Sequence, residues 1–377
     1  MDGRPSEITA PDDPNGSLES VILPSAPTPR PTGKGRLVRR VIGILLTLTI
    51  FAWIFKPIIL HWSDVKDRIH HTSLGRILFA SLIFSIFLFV FRALTWRRIL
   101  IGFGYRLPIA PTVRIWSSSE LSRYLPGVIW QVVSRIYLVK PYGVRGSACS
   151  ASQVLELALF LLSNILMAVG CLTWLGHKQL RPATQNWLLG AIALIPILIF
   201  LLYPKIFYGI TNAVMRKLGK PEIVNRLHFR ELIALLLWNV LGLVLQSLAI
   251  WLVVSQPLHL QFTKWWVVAG AYSLAWCAGF LAFWAPGGIG VRELVFVMAM
   301  EIALPQRVRD TFNNPAVQLG FLAFLSVLLR LWATTGELIL ASIAYAADYR
   351  GALGRPDAPG QLPQPQLNDR NQLPDVA

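Results

Sequence analysis

Charge is the scarcest commodity in this chain of 377 residues: only 14% are Asp, Glu, Lys or Arg, against roughly 25% in a soluble globular domain. That deficit excludes a fold that meets water over its whole surface, since 54% of the residues are hydrophobic and too few charged ones remain to cover them. Acidic residues are the rarer sign, 19 against 35 basic ones. With few carboxylates outside the tails, a metal-dependent glycosyl or phosphoryl transferase site is hard to assemble. Cysteine is limited to Cys149, Cys171 and Cys277, all in or beside hydrophobic runs and without CxxC spacing. They read as small apolar packing residues, so neither a disulfide framework nor a zinc site is expected. No His lies in a triad arrangement, and His70-His71 reads as solvated in a polar loop.

Motifs for nucleotides and metals are missing too. Thr32-Gly33-Lys34-Gly35 lacks the upstream glycine of a phosphate-binding loop, and Gly35 stands where Ser or Thr belongs. HExxH and Asp-rich metal motifs are absent. No catalytic residue, metal or cofactor is therefore predicted, and ATP hydrolysis is not expected from this chain.

What is present is a series of long apolar runs. A membrane-spanning helix takes about 20 mainly apolar residues, and such runs occupy 38–60, 75–96, 149–174, 186–203, 231–254, 265–285 and 316–346, with a weaker one at 288–304. The predicted fold is all-α, a polytopic helical membrane bundle of about eight segments. Residues 1–36 and 348–377 are Pro-rich and polar and are predicted to be disordered tails flanking one transmembrane domain, 37–347. No cleavable signal peptide is expected, because the first apolar run follows the tail.

The net charge of +16 is read as topology. Lys34, Arg36, Arg39 and Arg40 cluster at the start of the first run, and the loops 96–114, 135–145 and 204–230 are basic, whereas 176–185 and 255–264 carry few basic residues. Basic loops stay on the cytoplasmic side, so both termini are predicted to be cytoplasmic. Attraction to anionic headgroups is a second use of these charges. Nucleic acid is not expected as a partner, for want of a soluble basic face. Oligomeric state is left open, a homo-oligomer included. Trp96, Trp116, Trp265 and Trp266 are expected at the membrane interfaces, which indole rings favour.

Two segments depart from a plain span. Pro126-Gly127 interrupts 112–134, and Pro286-Gly287-Gly288 interrupts 281–294. Proline removes a helix hydrogen bond and glycine relaxes the backbone beside it. Broken backbone at membrane depth is tolerated where protein or water satisfies the freed groups, so re-entrant or discontinuous helices lining a polar cavity are predicted. Pro126, Gly127 and Ile129 align with Pro286, Gly287 and Ile289, one set in each half of the chain, the pattern of an internal repeat around a central site. Ionisable residues within the membrane are costly and mark such sites; here they are Glu120, Arg123, Arg135, Glu156, Arg292, Glu293, Glu301, Arg330 and Glu337. Glu120 and Arg123 share a helix face, as do Arg330 and Glu337. Arg135 and Glu301 stand near segment ends, where snorkelling to the interface is the plainer reading. Ser117, Ser118, Ser119 and Ser122 read as helix-packing hydroxyls.

Ser122–Arg135 (SRYLPGVIWQVVSR) with Tyr142-Gly143-Val144 resembles the first signature of the lysylphosphatidylglycerol synthase transmembrane-region family. Ala285–Glu293 (APGGIGVRE) resembles its second, and Leu329-Arg330-Leu331 with Gly336-Glu337 is similar to its last helix. The resemblance spans about 35–347. It implies a helical bundle of the bacterial inner membrane that flips lipids, and it singles out Arg123, Pro126, Gly127, Arg135, Pro286, Gly287, Gly288, Gly290, Arg292, Glu293, Arg330 and Glu337. The best-understood members add a soluble aminoacyl-transferase domain. The stretch after about 347 is too short for one, so that activity is not expected here.

Taken together, the expectation is a lipid transporter that binds an anionic headgroup with Arg123, Arg135, Gly288, Gly290, Arg292, Glu293, Arg330 and Glu337. Its helix breaks are Pro126, Gly127, Pro286 and Gly287. The alternative is an enzyme or accessory subunit acting on a polyprenyl-, glycan- or hopanoid-linked lipid.

Overall fold

The computed structural model describes residues 73–124, 130–179, 203–217, 227–282, 285–312 and 314–349, with 196, 200 and 219 as isolated positions. Every regular element among them is helical. Helix α1 (Leu74–Ile86) runs through a π-helical stretch, Phe87–Ala93, into α2 (Leu94–Gly102). Then follow α3 (Ile109–Leu121), a 3-10 turn at Ser122–Tyr124, α4 (Trp130–Val139), α5 (Gly146–Gln179), α6 (Pro204–Lys217) and α7 (Phe229–Ser255). The remaining helices are α8 (Trp265–Leu281), a 3-10 turn at Pro286–Gly288, α9 (Val291–Ala303), the short α10 (Gln306–Arg309) and α11 (Pro315–Tyr349).

Four rods are long and apolar enough to cross a membrane: Leu74–Gly102, Gly146–Cys171, Phe229–Ser255 and Pro315–Ala346. Their apolar residues face both ways. One set packs inward, as Phe84, Phe87, Leu88 and Phe91 do around Trp96, Trp116 and Phe160. Another points out, including Leu78 and Leu82, Leu237 and Leu241, and Leu331, Ile339 and Ile343. An outward apolar face is what a helix needs where its solvent is hydrocarbon. Hydroxyls inside the rods turn back on their own backbone: Ser81, Thr95 and Ser163 each donate to the carbonyl four residues earlier, which satisfies them without water.

About eight segments were expected, and four full crossings stand among the described residues. The run at 38–60 lies outside the described residues, and that at 186–203 lies almost wholly outside. α8 and α9, at 17 and 13 residues, are shorter than the 20 or so that a straight crossing takes. The reason is local. Between them Gly287, Gly288 and Gly290 all have positive φ, at 60°, 69° and 88°, a region costly for any residue with a Cβ. The helix therefore cannot continue through them. The Pro126-Gly127 break lies outside the described residues, as do the tails, except that α11 runs on to Tyr349.

α8 packs against both α5 and α9, and α11 packs against α3 and α9. This places the turn Ser122–Tyr124, just before the first break, against Pro286–Gly288 at the second.

Candidate functional site

The interior charges form a chain of ion pairs. Glu156 on α5 accepts from Arg135 of α4 at 2.6 Å and from the Trp116 indole at 2.9 Å, and pairs with Arg92 at 3.2 Å. Arg135 reaches on to Glu120 of α3 at 2.8 Å and donates its Nε to Ser119 at 2.8 Å. Glu120 accepts in addition from Gln131 at 2.6 Å and Arg123 at 2.8 Å. Arg123 then donates to Glu337 of α11. Three arginines and three carboxylates alternate, so the chain is neutral. Arg135 is 1% exposed and its guanidinium also lies 4.9 Å from the Trp96 ring centroid. Arg123, at 22%, is the most accessible cation of the chain.

α11 carries the connection to the second break. Arg330, two turns before Glu337, donates to the Gly287 carbonyl at 2.9 Å and lies 4.0 Å from Glu293. Glu293 itself accepts from the Gly290 amide at 2.6 Å, which caps the first turn of α9. The carbonyl and amide freed by the break thus have partners from side chains, as a buried backbone requires.

A cavity opens beside this break, lined by Tyr272, Trp276, Arg292, Glu293, Ser326 and Arg330, with apolar walls from α8, α9 and α11. Its volume is about 30 Å³, and it is partly open to the outside. Two arginines and one glutamate line it, a net charge of +1. Arg330 is held by Gly287 and Glu293. Arg292 is different: its guanidinium lies 5.3 Å from the Trp276 ring centroid, a cation–π contact. Its Nε is enclosed with no hydrogen-bond partner among the described residues, and no carboxylate there pairs with it.

The structure therefore brings Arg123, Arg135, Glu293, Arg330 and Glu337 into one connected system, with Arg292 beside it. Gly288 and Gly290 shape the break, but their amides are occupied, by the Ala285 carbonyl at 2.9 Å and by Glu293. Pro286 and Gly287 form the turn that Arg330 holds. Pro126 and Gly127 lie outside the described residues. Glu301 stands on the exposed side of α9, away from the chain of pairs. Trp96 and Trp116 are buried at 0% and 2% exposure, and their N–H groups have internal acceptors in Ser152 and Glu156. Arg135, for which snorkelling was the plainer expectation, is held in the core by its own acceptors, Ser119, Glu120 and Glu156.

Sequence reasoning passed over Arg92. Its side chain lies 3.7 Å from the Phe160 ring centroid as well as pairing with Glu156. It sits on the π-helical stretch, a distortion frequent at functional sites. Gly242 of α7 lets that stretch approach, since a Cβ there would come within 2.6 Å of Phe91. The available signal was an Arg deep inside the apolar run 75–96, sixteen residues past Arg76 at its start.

No curated protein and no solved structure matches this chain. Residues 40–308 match the family profile described as the lysylphosphatidylglycerol synthase TM region, which takes in both signature segments, the chain of ion pairs except Glu337, and Arg292. The chain is a membrane protein that belongs to the lysylphosphatidylglycerol synthase transmembrane-region family.

Proposed function

We propose that this protein moves an anionic membrane lipid, or a lipid-linked anionic headgroup, across the bilayer through the cavity beside the second break. Family membership supports a role with membrane lipids. The observation that carries the reading is Arg292: a cation inside the bundle with neither a carboxylate nor a hydrogen-bond acceptor among the described residues. An unpaired charge at membrane depth is costly, and a lipid phosphate would relieve it with two parallel hydrogen bonds. Arg330 borders the same space and adds attraction. Arg123, Arg135, Glu293 and Glu337 act as struts, since their charges are already engaged with one another, with neighbouring side chains and with the turn at the second break. The positive-φ glycines at 287, 288 and 290 are the hinge about which α9 tilts to open the cavity to either leaflet. The setting is a bacterial inner membrane, with both termini cytoplasmic by the distribution of basic loops.

The test is lipid movement in proteoliposomes. Purified protein is reconstituted with headgroup-labelled phosphatidylglycerol, and dithionite quenching from outside reports the label that changes leaflet. Movement faster than in empty liposomes, lost in Arg292→Ala, is expected. A folded protein that moves none of several anionic lipids overturns the transport reading; a chemically altered lipid recovered from the same vesicles would favour an enzyme acting in the cavity.

A further inference from the structure

The Trp276 ring and residue 279 lie three positions apart on α8, hence on one face of it. That face looks into the cavity, and residue 279 is a glycine. A Cβ on Gly279 would stand 2.1 Å from Arg292 Cγ, 2.6 Å from its Nε and 2.9 Å from its Cδ. These are the three nearest atoms to that Cβ, and all belong to one side chain. The stem of Arg292 therefore lies in a notch that exists because residue 279 has no side chain. Trp276 then receives the guanidinium at the end of that stem, 5.3 Å from its ring centroid. The other side of Gly279 is occupied as well: a Cβ on Gly288 would come within 2.6 Å of the Gly279 carbonyl oxygen. One backbone position on α8 thus supports both the turn of the break and the stem of Arg292.

We infer that Gly279 is a positioning residue for Arg292: the notch fixes the arginine's course across α8 and, with Trp276, aims its guanidinium into the cavity. A methyl group at 279 has to displace that stem. Because the clash is at Cγ, it cannot be avoided by turning only the far end of the side chain. The guanidinium leaves the Trp276 face, and the cavity loses the cation it was built around. Gly279 touches no ligand in this account; it acts through Arg292.

The test is a double-mutant cycle between Gly279→Ala and Arg292→Ala in the full chain. Its first readout is the thermal unfolding midpoint in detergent, which is independent of the transport reading. Gly279→Ala is expected to lower the midpoint when Arg292 is present and to have little effect in the Arg292→Ala background, where the colliding atoms are gone. If the single variant fails to fold, recovery of the folded protein on adding Arg292→Ala is the same result in stronger form. The second readout rests on the lipid-transport reading: movement of labelled phosphatidylglycerol should fall in Gly279→Ala as far as in Arg292→Ala, and the double variant should be no worse than either. An equal loss of stability in both backgrounds overturns the inference, for it would mean that the methyl group collides with something else. So does a Gly279→Ala protein that moves lipid at the native rate. Absence of lipid movement in the native protein, with stability coupling intact, removes the transport reading while the positioning role stands.

Discussion

Arg330 and Glu337 stand seven residues apart on α11, and each reaches a different turn, Arg330 that at Pro286–Gly288 and Glu337 that at Ser122–Tyr124. Arg330 holds the Gly287 carbonyl of the second break, and Glu337 holds Arg123, which sits just ahead of the first. One helix thereby ties the two turns together, and those turns already touch. Movement at one cannot leave the other's partners undisturbed.

Arg330→Lys tests that tie. Lysine keeps the charge but is a point donor without the planar fork, so it cannot hold the Gly287 carbonyl and face Glu293 together. The expected result is a stability loss of about 1–2 kcal/mol with a larger fall in lipid movement. Glu337→Gln should be milder, since an amide oxygen still accepts from Arg123, and Arg123 keeps Glu120. Unfolding midpoints and the liposome assay on both variants give the comparison. Equal effects from the two would argue against α11 acting through the second break.

Gly288→Ala should cost more than 1 kcal/mol or so. Its φ is 69°, and the added Cβ meets the backbone of Gly279, which cannot swing aside. Gly170→Ala is the control. That glycine is inside α5, with nothing within 4 Å of a built Cβ, so alanine there should be neutral or stabilising by up to about 1 kcal/mol through helix propensity. Thermal unfolding of the pair separates a requirement for positive φ from a general intolerance of larger residues.

Much of this site was legible before any coordinates. The Pro-Gly interruptions and the charges near them carry their own cost in a membrane, and a costly residue in an apolar run is visible in one dimension. The pairing of Glu120 with Arg123 followed from helical spacing alone, whereas Arg330 and Glu337 share a face of α11 but take different partners. What could not be read was which charges satisfy one another across helices. Glu156 and Arg135 are 21 residues apart, and Arg123 and Glu337 are 214 apart. Spacing says nothing about such pairs, so Arg135 was assigned a headgroup role or an interfacial position when its donors are in fact engaged inside the protein. The internal acceptors of Trp96 and Trp116 were hidden for the same reason. Gly279 left no trace in the sequence, because a glycine in a helix of small residues looks like ordinary close packing until the side chain crossing it is known.

Arg135 gives the sharpest test of the ion-pair chain. Its guanidinium neutralises two buried carboxylates at once, at 2.6 Å from Glu156 and 2.8 Å from Glu120. Arg135→Met preserves bulk and removes the charge, leaving the three carboxylates of the chain with only Arg92 and Arg123. Breaking a buried pair in this way costs about 3–5 kcal/mol, because one charge remains enclosed without compensation. Glu156→Gln in the same chain should return part of that loss. The amide removes the excess negative charge while its oxygen can still accept from the Trp116 indole. The double variant is therefore expected to unfold at a higher temperature than Arg135→Met alone, although it departs further from the native sequence. Should the second substitution lower the midpoint again, Arg135 contributes by packing against Trp96, and charge balance is not what holds these helices together.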